Sequence, residues 1–410
     1  MDIDAANQEF IKRVQASTAV LKDVRPARDV VPDMGERTLL HSGPPIAWDR
    51  MCGPMKGAVI GSCLFEGWAK TADDATRLAA SGEIKFDCNH HHRAVGPMAG
   101  ILTPSMAVQV LRNEKFGIET YVALYEGLGR VLRHGVYDEA SIERLRWLNG
   151  TLGPLLADAL KRSGGIDMKS LIAQALQMGD ELHSRNRASN YLFIAQIAPH
   201  IAATGSRHAE EVLRFIDGCQ HFPLNLVMAA CKAMMDAGRN IPGSSLVVAM
   251  ARNGVEFGIQ VSGLEGRWFT APAPRVEGIW FPGFSRDDAN PDLGDSAITE
   301  TSGLGAFAMA AAPAIVQYVG GGDAAFARTT TERMYEITAT EHETFRVPLL
   351  DFRGTPFGID IRKVIETGIQ PTIDTGVSHK KPNIGQVGAG VTAAPLECFE
   401  KALEAFVETI

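Results

Sequence analysis

Ile142, Leu145, Leu148, Leu152 and Leu155 recur at intervals of three and four residues. That is the period of one apolar helix face. The same texture continues through "DMKSLIAQALQMG", "ASNYLFIAQIAPHIAATG", "HAEEVLRFIDG" and "NLVMAACKAMMDAG", most of them closing on a glycine, as helix C-caps do. Residues 138–240 therefore read as an all-helical domain. Before them, "MDIDAANQEFIKRVQ" alternates as an amphipathic helix, whereas "GAVIGSCLFEGW" and "GILTPSMAVQVL" are short apolar runs punctuated by glycine and proline. Such runs predict strands and turns that feed short helices. After residue 240 the strand texture returns in "SSLVVAMARNG", "VEFGIQVSG" and "RWFTAPA". "GAFAMAAAPAIVQYVGG" reads as a buried helix, too small-residue-rich and too interrupted by Pro313 to span a membrane. "PLECFEKALEAFVETI" reads as an amphipathic helix. The pattern predicts an α+β protein: a mixed domain at 1–137, a helical domain at 138–240 and a second mixed domain at 241–410.

Gly53-Pro54-Met55-Lys56-Gly57 is echoed by Gly96-Pro97-Met98-Ala99-Gly100, each followed by two apolar residues. Proline fixes φ and glycine frees it, so each copy predicts a sharp turn entering a buried element.

Composition narrows the function. The 410 residues are 45% hydrophobic and 21% charged, the balance of a globular protein. A net charge of -8 argues against a general nucleic-acid binder. Six cysteines without a CxxC pair predict reduced thiols and a cytoplasmic setting, and the acidic N-terminus does not read as a secretory signal.

Three clusters carry candidate chemistry. "FDCNHHHRAVGPMAG" sets His90, His91 and His92 beside Cys88 and Arg93. No recognised metal-ligand spacing is present, so proton transfer or anion contact is preferred to a metal. "MGDELHSRNRASN" concentrates Asp180, Glu181, His183, Arg185, Asn186 and Arg187 ahead of an apolar helix. Asp180 suits an N-cap, Asp180 and His183 would share one face of a helix, and the arginines offer planar forks for carboxylate or phosphate. "NPDLGDSAITETSGLG" reads as a helix start, with Asn290 as N-cap and Pro291 at the first helical position. There Asp295 and Glu300 are candidate acids or bases, and Thr299 and Thr301 are candidate anion donors. Arg252 and Asn253 fall at a predicted strand end, Arg267 starts another strand, and Lys56 lies in the first Gly-Pro-Met turn. "GLGRVLRHG" lacks phosphate-loop spacing and gives only a weak signal.

Taken together, "LLHSGPPIAWDRMCGPMKGAVIGSCLFEGWA", "HHHRAVGPMAG", "MGDELHSRN", "ARNGVEFGIQVSGLEGRWFTAPA" and "NPDLGDSAITET" resemble the bacterial YlbE/YahG-like family over nearly the whole chain. The resemblance implies two α-β domains flanking a small helical one. It also implies a subunit of oxamate carbamoyltransferase in allantoin catabolism, working with FdrA-like and YlbF-like subunits and without a metal or other cofactor. A homo-oligomer is compatible with it. The reaction so implied interconverts oxalurate plus phosphate with oxamate plus carbamoyl phosphate. The family's histidine pair falls on His90 and His91. His92, Arg93 and Tyr125, the last standing where the family's "NEG" string has asparagine, depart from the pattern. On this reading His90, His91, Asp180, His183 and Glu300 are the catalytic candidates. Lys56, Arg185, Asn186, Arg252, Asn253, Arg267, Asp295, Thr299 and Thr301 are the substrate-binding candidates. Two other classes compete: a metal-assisted amidohydrolase built on the histidine row, and a non-catalytic assembly subunit.

Overall fold

The computed structural model describes residues 2–409. It is a mixed α+β protein whose strands gather in several small sheets rather than one large one. Strands Val20–Pro26, Ala107–Asn113 and Ile118–Ala123, with the two-residue strand Ile166–Asp167, form one antiparallel sheet. Val247–Asn253, Glu256–Val261 and Phe269–Pro272 form an antiparallel meander, extended at its edge by Leu293–Gly294. Thr372–Ser378 and Gln386–Ala393 pair in a third sheet with Glu277–Trp280. No helix among the described residues is long and apolar enough to cross a membrane.

The leucine periodicity holds where it is strongest. Ile142, Leu145, Leu148, Leu152 and Leu155 are all buried. They run through helices Glu139–Trp147 and Gly153–Ser163, which are joined by a π-helical turn at Leu148–Leu152. That turn keeps the apolar face continuous. Ile3–Ala16 and Leu396–Val407 are helices, and the predicted meander strands are strands.

Three local expectations need correction. "GAVIGSCLFEGW" is not strand and turn but belongs to helix Gly53–Phe65, with Pro54 in its first turn. Most of the residues from Pro54 to Cys63 are buried, so no polar face marks the helical period. The two Gly-Pro-Met copies consequently differ: the first opens this helix, the second is a turn around Met98, whose φ is +56°. "GAFAMAAAPAIV" is buried as expected, but as 3-10 turns over Gly305–Ala311 and Pro313–Ile315. Pro313 lacks the N–H that a continuous helix would need. Asn290-Pro291 does not open a helix either; the chain there bends toward Arg252, and the helix begins only at Ile298.

The core connects distant parts of the chain. Its largest apolar cluster unites Phe10, Val59, Leu111, Leu152, Ile197, Met228 and Phe357. Helix Phe222–Met235 lies at its centre with all but Leu224 buried. Each fully buried Leu, Met or Phe there contributes about 1.5–3 kcal/mol. A second cluster, around Val247, Phe257, Phe307, Ile359 and Phe399, backs the meander.

Candidate active site

A small crevice with about 50 Å³ of free volume lies where four distant segments meet. Pro97 and Met98 of the second Gly-Pro-Met turn form one wall, Tyr125, Arg133 and His134 another, His183 and Ser184 a third, and Thr375, Gly376 and Gln386 a fourth. His221, Ser296 and Tyr318 complete it.

His183 sits on the loop between helices Met168–Gln177 and Arg187–Ala203. The loop is tightly held. The Glu181 carboxylate accepts the N–H of His183 at 2.6 Å and that of Arg185. Asn186 Nδ2 donates to the His183 carbonyl at 2.8 Å. Asp180 accepts from the N–H groups of Arg187 and Ser189, at 3.1 and 2.7 Å, and so caps the following helix from seven residues upstream. Asp180 and His183 therefore do not share a helix face, because their segment is a loop. Between them Leu182 is fully buried at φ +73°, a conformation that costs a non-glycine residue roughly 1–2 kcal/mol. Met98, across the crevice, is similarly left-handed. Such strain concentrates where surrounding structure over-determines the backbone, commonly at functional sites.

The His183 ring meets two carboxylates. Its Nδ1 lies 2.7 Å from Glu300 Oε1 and 3.0 Å from Asp374 Oδ1. Glu300 comes from the short helix Ile298–Thr301 and Asp374 from strand Thr372–Ser378. Oε1 of Glu300 also accepts from Ala306 N at 3.2 Å, and its Oε2 from Thr299 Oγ1 at 2.9 Å. Gly305 makes the approach feasible: a Cβ there would fall 2.3 Å from Glu300 Oε1, and its φ is +56°. Burial alone would lower the His183 imidazole, but the Glu300 and Asp374 carboxylates override it and raise it to about 10. Burial raises Asp374 to about 6, and it raises Glu181 well above the usual carboxylate range. Glu300 is held low, His183 outweighing the effect of burial. With Nδ1 engaged, Nε2 is the ring nitrogen left for the crevice.

Arg133 lines the same crevice. Its Nη2 donates to Tyr125 Oη at 3.0 Å and to the Gly127 carbonyl at 2.7 Å, and its guanidinium lies 4.3 Å above the Tyr125 ring. Nη1 is buried with no partner in the chain. An unpaired guanidinium N–H in a crevice is a ready donor to an anionic oxygen. His134 and His221 are both lowered by burial. His221 Nε2 contacts the Ser184 carbonyl at 2.8 Å while its Nδ1 has no partner.

Of the residues singled out in the sequence, His183 and Glu300 are brought together, and Thr299 supports Glu300. Asp180 and Asn186 hold the His183 loop, and the others lie elsewhere. Arg252 is fully buried, and its guanidinium is spent on Asp292 at 2.7 and 3.0 Å, the Gly294 carbonyl, Ser296 and Thr375 Oγ1. Asn253 accepts from Val255 and Glu256 N–H and closes the meander's first hairpin. Thr301 Oγ1 bonds back to the Ala297 carbonyl. Lys56 Nζ reaches the Asp49 carbonyl and lies over Trp48. Arg267 lies over Phe269, and Arg185 bonds the Gly179 carbonyl. Asp295 accepts from Gly43 N, Gly96 N and Asn89 Nδ2 at 2.8, 2.9 and 2.9 Å, pinning the second Gly-Pro-Met turn from behind. Burial pushes its carboxyl up to about 7 even so.

The histidine row forms a 3-10 turn behind that wall, not a lining of the crevice. His90 is buried edge-on to Trp268, with Nε2 3.6 Å from Asp295, and burial lowers it well below its ordinary value. His91 and His92 both contact Asp87, at 2.8 and 3.1 Å. His92 Nδ1 also faces the Pro32 carbonyl at 2.6 Å, so both its nitrogens meet acceptors. The Asp87 hydrogen bond raises His92, and Asp87 itself is lowered, its histidine hydrogen bonds outweighing burial. This pair therefore stabilises the fold most between the ordinary values of 3.8 and 6.5. The contribution fades as pH rises through the raised His92 value, and again as pH falls through the depressed Asp87 value. Asp87→Asn is expected to lose roughly 1 kcal/mol at pH 5.5 and less at pH 9, by urea unfolding. Equal losses at both would contradict the pairing.

Arg133, His134, His221, Tyr318 and Asp374 were missed in the sequence. Arg133-His134 stand within "GLGRVLRHG", whose glycines dominate the local pattern. The other three are isolated in sequence and carry no local signal.

This fold and crevice define a mixed α+β scaffold in which a buried histidine–carboxylate group and an arginine line one crevice. Comparisons with known proteins refine that class. A family model for oxamate carbamoyltransferase subunit AllG matches residues 84–296. The chain is 48% identical to oxamate carbamoyltransferase subunit AllG of Escherichia coli (strain K12), over 99% of this chain and 98% of that protein. It is 46% identical to the uncharacterized protein YahG of the same strain, over 99% of this chain and 86% of YahG. The crystal structure of a conserved protein of unknown function from Enterococcus faecalis V583 superposes with a TM-score of 0.97 at 48% identity, covering 100% of this chain and 98% of that one. The chain belongs to the AllG family.

Proposed function

We propose that this protein is a subunit of a cytoplasmic carbamoyltransferase that interconverts oxalurate plus phosphate with oxamate plus carbamoyl phosphate, assembled with FdrA-like and YlbF-like subunits. The observation that carries the reading is the full-length likeness to AllG. The crevice chemistry supports it. Oxamate and oxalurate carry a carboxylate, for which the free Arg133 Nη1 is a fitting donor. Phosphate oxygen attacks the terminal ureido carbon of oxalurate, and a tetrahedral centre forms. Its C–N bond to the oxamate nitrogen then breaks, and the proton brought by hydrogen phosphate ends on that nitrogen. The negative charge that develops needs a preorganised donor, and Nε2–H of His183 is placed for this by the carboxylates on Nδ1. Glu300 and Asp374 act as positioning residues. The three segments 1–137, 138–240 and 241–410 serve in this reading as domains, with the crevice drawing on all three.

The test is reconstitution of this chain with FdrA-like and YlbF-like subunits, following phosphate release from carbamoyl phosphate plus oxamate. Activity that requires all subunits is the expected result. No turnover from any combination would remove the reading. Arg133→Lys keeps a charge but loses the fork. It is expected to raise the KM for oxamate about 10-fold or more, equivalent to about 1.4 kcal/mol, with a smaller effect on kcat. An unchanged KM would remove Arg133 from the substrate contact.

A further inference from the structure

Asp374 is fully buried, and although its Oδ1 lies 3.0 Å from His183 Nδ1, neither carboxylate oxygen receives a well-aligned hydrogen bond from the chain. An orphaned buried carboxylate is costly, and native structures rarely leave one unexplained. Glu300 beside it is not orphaned: Thr299, Ala306 and His183 hold it. The remaining nearby cation, Arg252, is committed to Asp292. Two buried carboxylates thus share one imidazole nitrogen.

One donor atom each from His183, Glu300 and Asp374 lies within 4.8 Å of the others. Nδ1 stands 2.7 and 3.0 Å from the two carboxylate oxygens. Neighbouring vertices of an octahedron with bonds of ~2.1 Å are about 3.0 Å apart. A tetrahedron with similar bonds would place them about 3.4 Å apart. One imidazole and two carboxylates, without thiolate, suit a hard-to-borderline cation of the Mn2+ type. Two carboxylate charges would balance it. Glu300 also has the supporting hydrogen bond, from Thr299 Oγ1, that ordered metal ligands usually have.

We propose that His183, Glu300 and Asp374 bind one divalent cation of the Mn2+ class beside the crevice. Its remaining positions would be filled by water or by an oxygen of the bound acid. With Nδ1 on the cation, the ring proton is fixed on Nε2, the nitrogen facing the crevice. The proposal stands on the donor geometry alone. It does not depend on which reaction the crevice performs.

The probe is Mn2+ added to chelator-treated, dialysed full-length protein, with the free-Mn2+ electron paramagnetic resonance signal as readout. One Mn2+ per chain is expected. Asp374→Asn is expected to weaken binding at least 10-fold while keeping the fold, because it removes an orphan charge without changing shape. His183→Gln is the second variant should Asp374→Asn fold poorly. Asp87, Cys88 and His91 also bring donor atoms within 4.8 Å of one another, so Asp87→Asn serves as control and is expected to retain binding. Substoichiometric binding at millimolar Mn2+ overturns the proposal, as does binding that survives Asp374→Asn and His183→Gln but is lost in Asp87→Asn. Failed reconstitution of carbamoyl transfer would leave this result untouched, and failed Mn2+ binding would leave the transferase reading untouched.

Discussion

His183→Ala is expected to lower kcat of the reconstituted complex by about 10²–10³, the usual effect of losing a preorganised donor to developing charge. Nδ1 is bonded to Glu300 with Asp374 3.0 Å away, which leaves Nε2 as the ring nitrogen for the crevice. The loop itself should survive the change. Glu181, Asn186 and Asp180 hold it through backbone N–H and C=O groups rather than through the imidazole. The complex should therefore still assemble, and the loss should appear in turnover rather than in KM for oxamate. Steady-state kinetics on assembled complex, with circular dichroism as a check on folding, provides the measurement. Turnover within threefold of the parent would end the role given to His183.

Arg252→Ala is expected to destabilise the protein by about 3–5 kcal/mol in urea unfolding, because it leaves Asp292 charged, buried and unpaired. The Gly294 carbonyl and Thr375 hydroxyl lose a donor at the same time. Arg252→Lys should recover little, since a single ammonium cannot reproduce the fork on Asp292. The double change Arg252→Met with Asp292→Leu should recover much of the loss, because it removes both charges together. A loss below about 1 kcal/mol in Arg252→Ala would mean that the pair is not closed to water as the structure has it. This prediction separates two roles that the sequence could not. Arginine at a strand end suggests substrate binding, but this guanidinium has no donor left to offer. Arg133, in a glycine-punctuated stretch, does have one.

Helices with one polar face were legible from spacing, as residues 139–163 demonstrate. Helix Gly53–Phe65 was not, because an element buried on most sides loses its period, and Pro54 and the glycines then read as turns. Candidate chemistry was legible where polar residues crowd together. That rule picks out His183 and Glu300, which converge, and also His90–His92, which lie near Asp87, Trp268 and Asp295 outside the crevice lining. It could not find Asp374, which sits alone in a strand.

By itself, the sequence determined the mixed α+β character, the helical stretch after residue 138, the meander after residue 246 and the kinship. Each is written in local periodicity or in long ordered strings. Only the tertiary structure decided which polar groups meet. His183, Glu300 and Asp374 converge across 191 residues of chain, and Arg133, from another segment, lines the same crevice as His183. Such convergence is set by how helices and sheets pack around a shared core, a relation between distant positions that leaves no local trace.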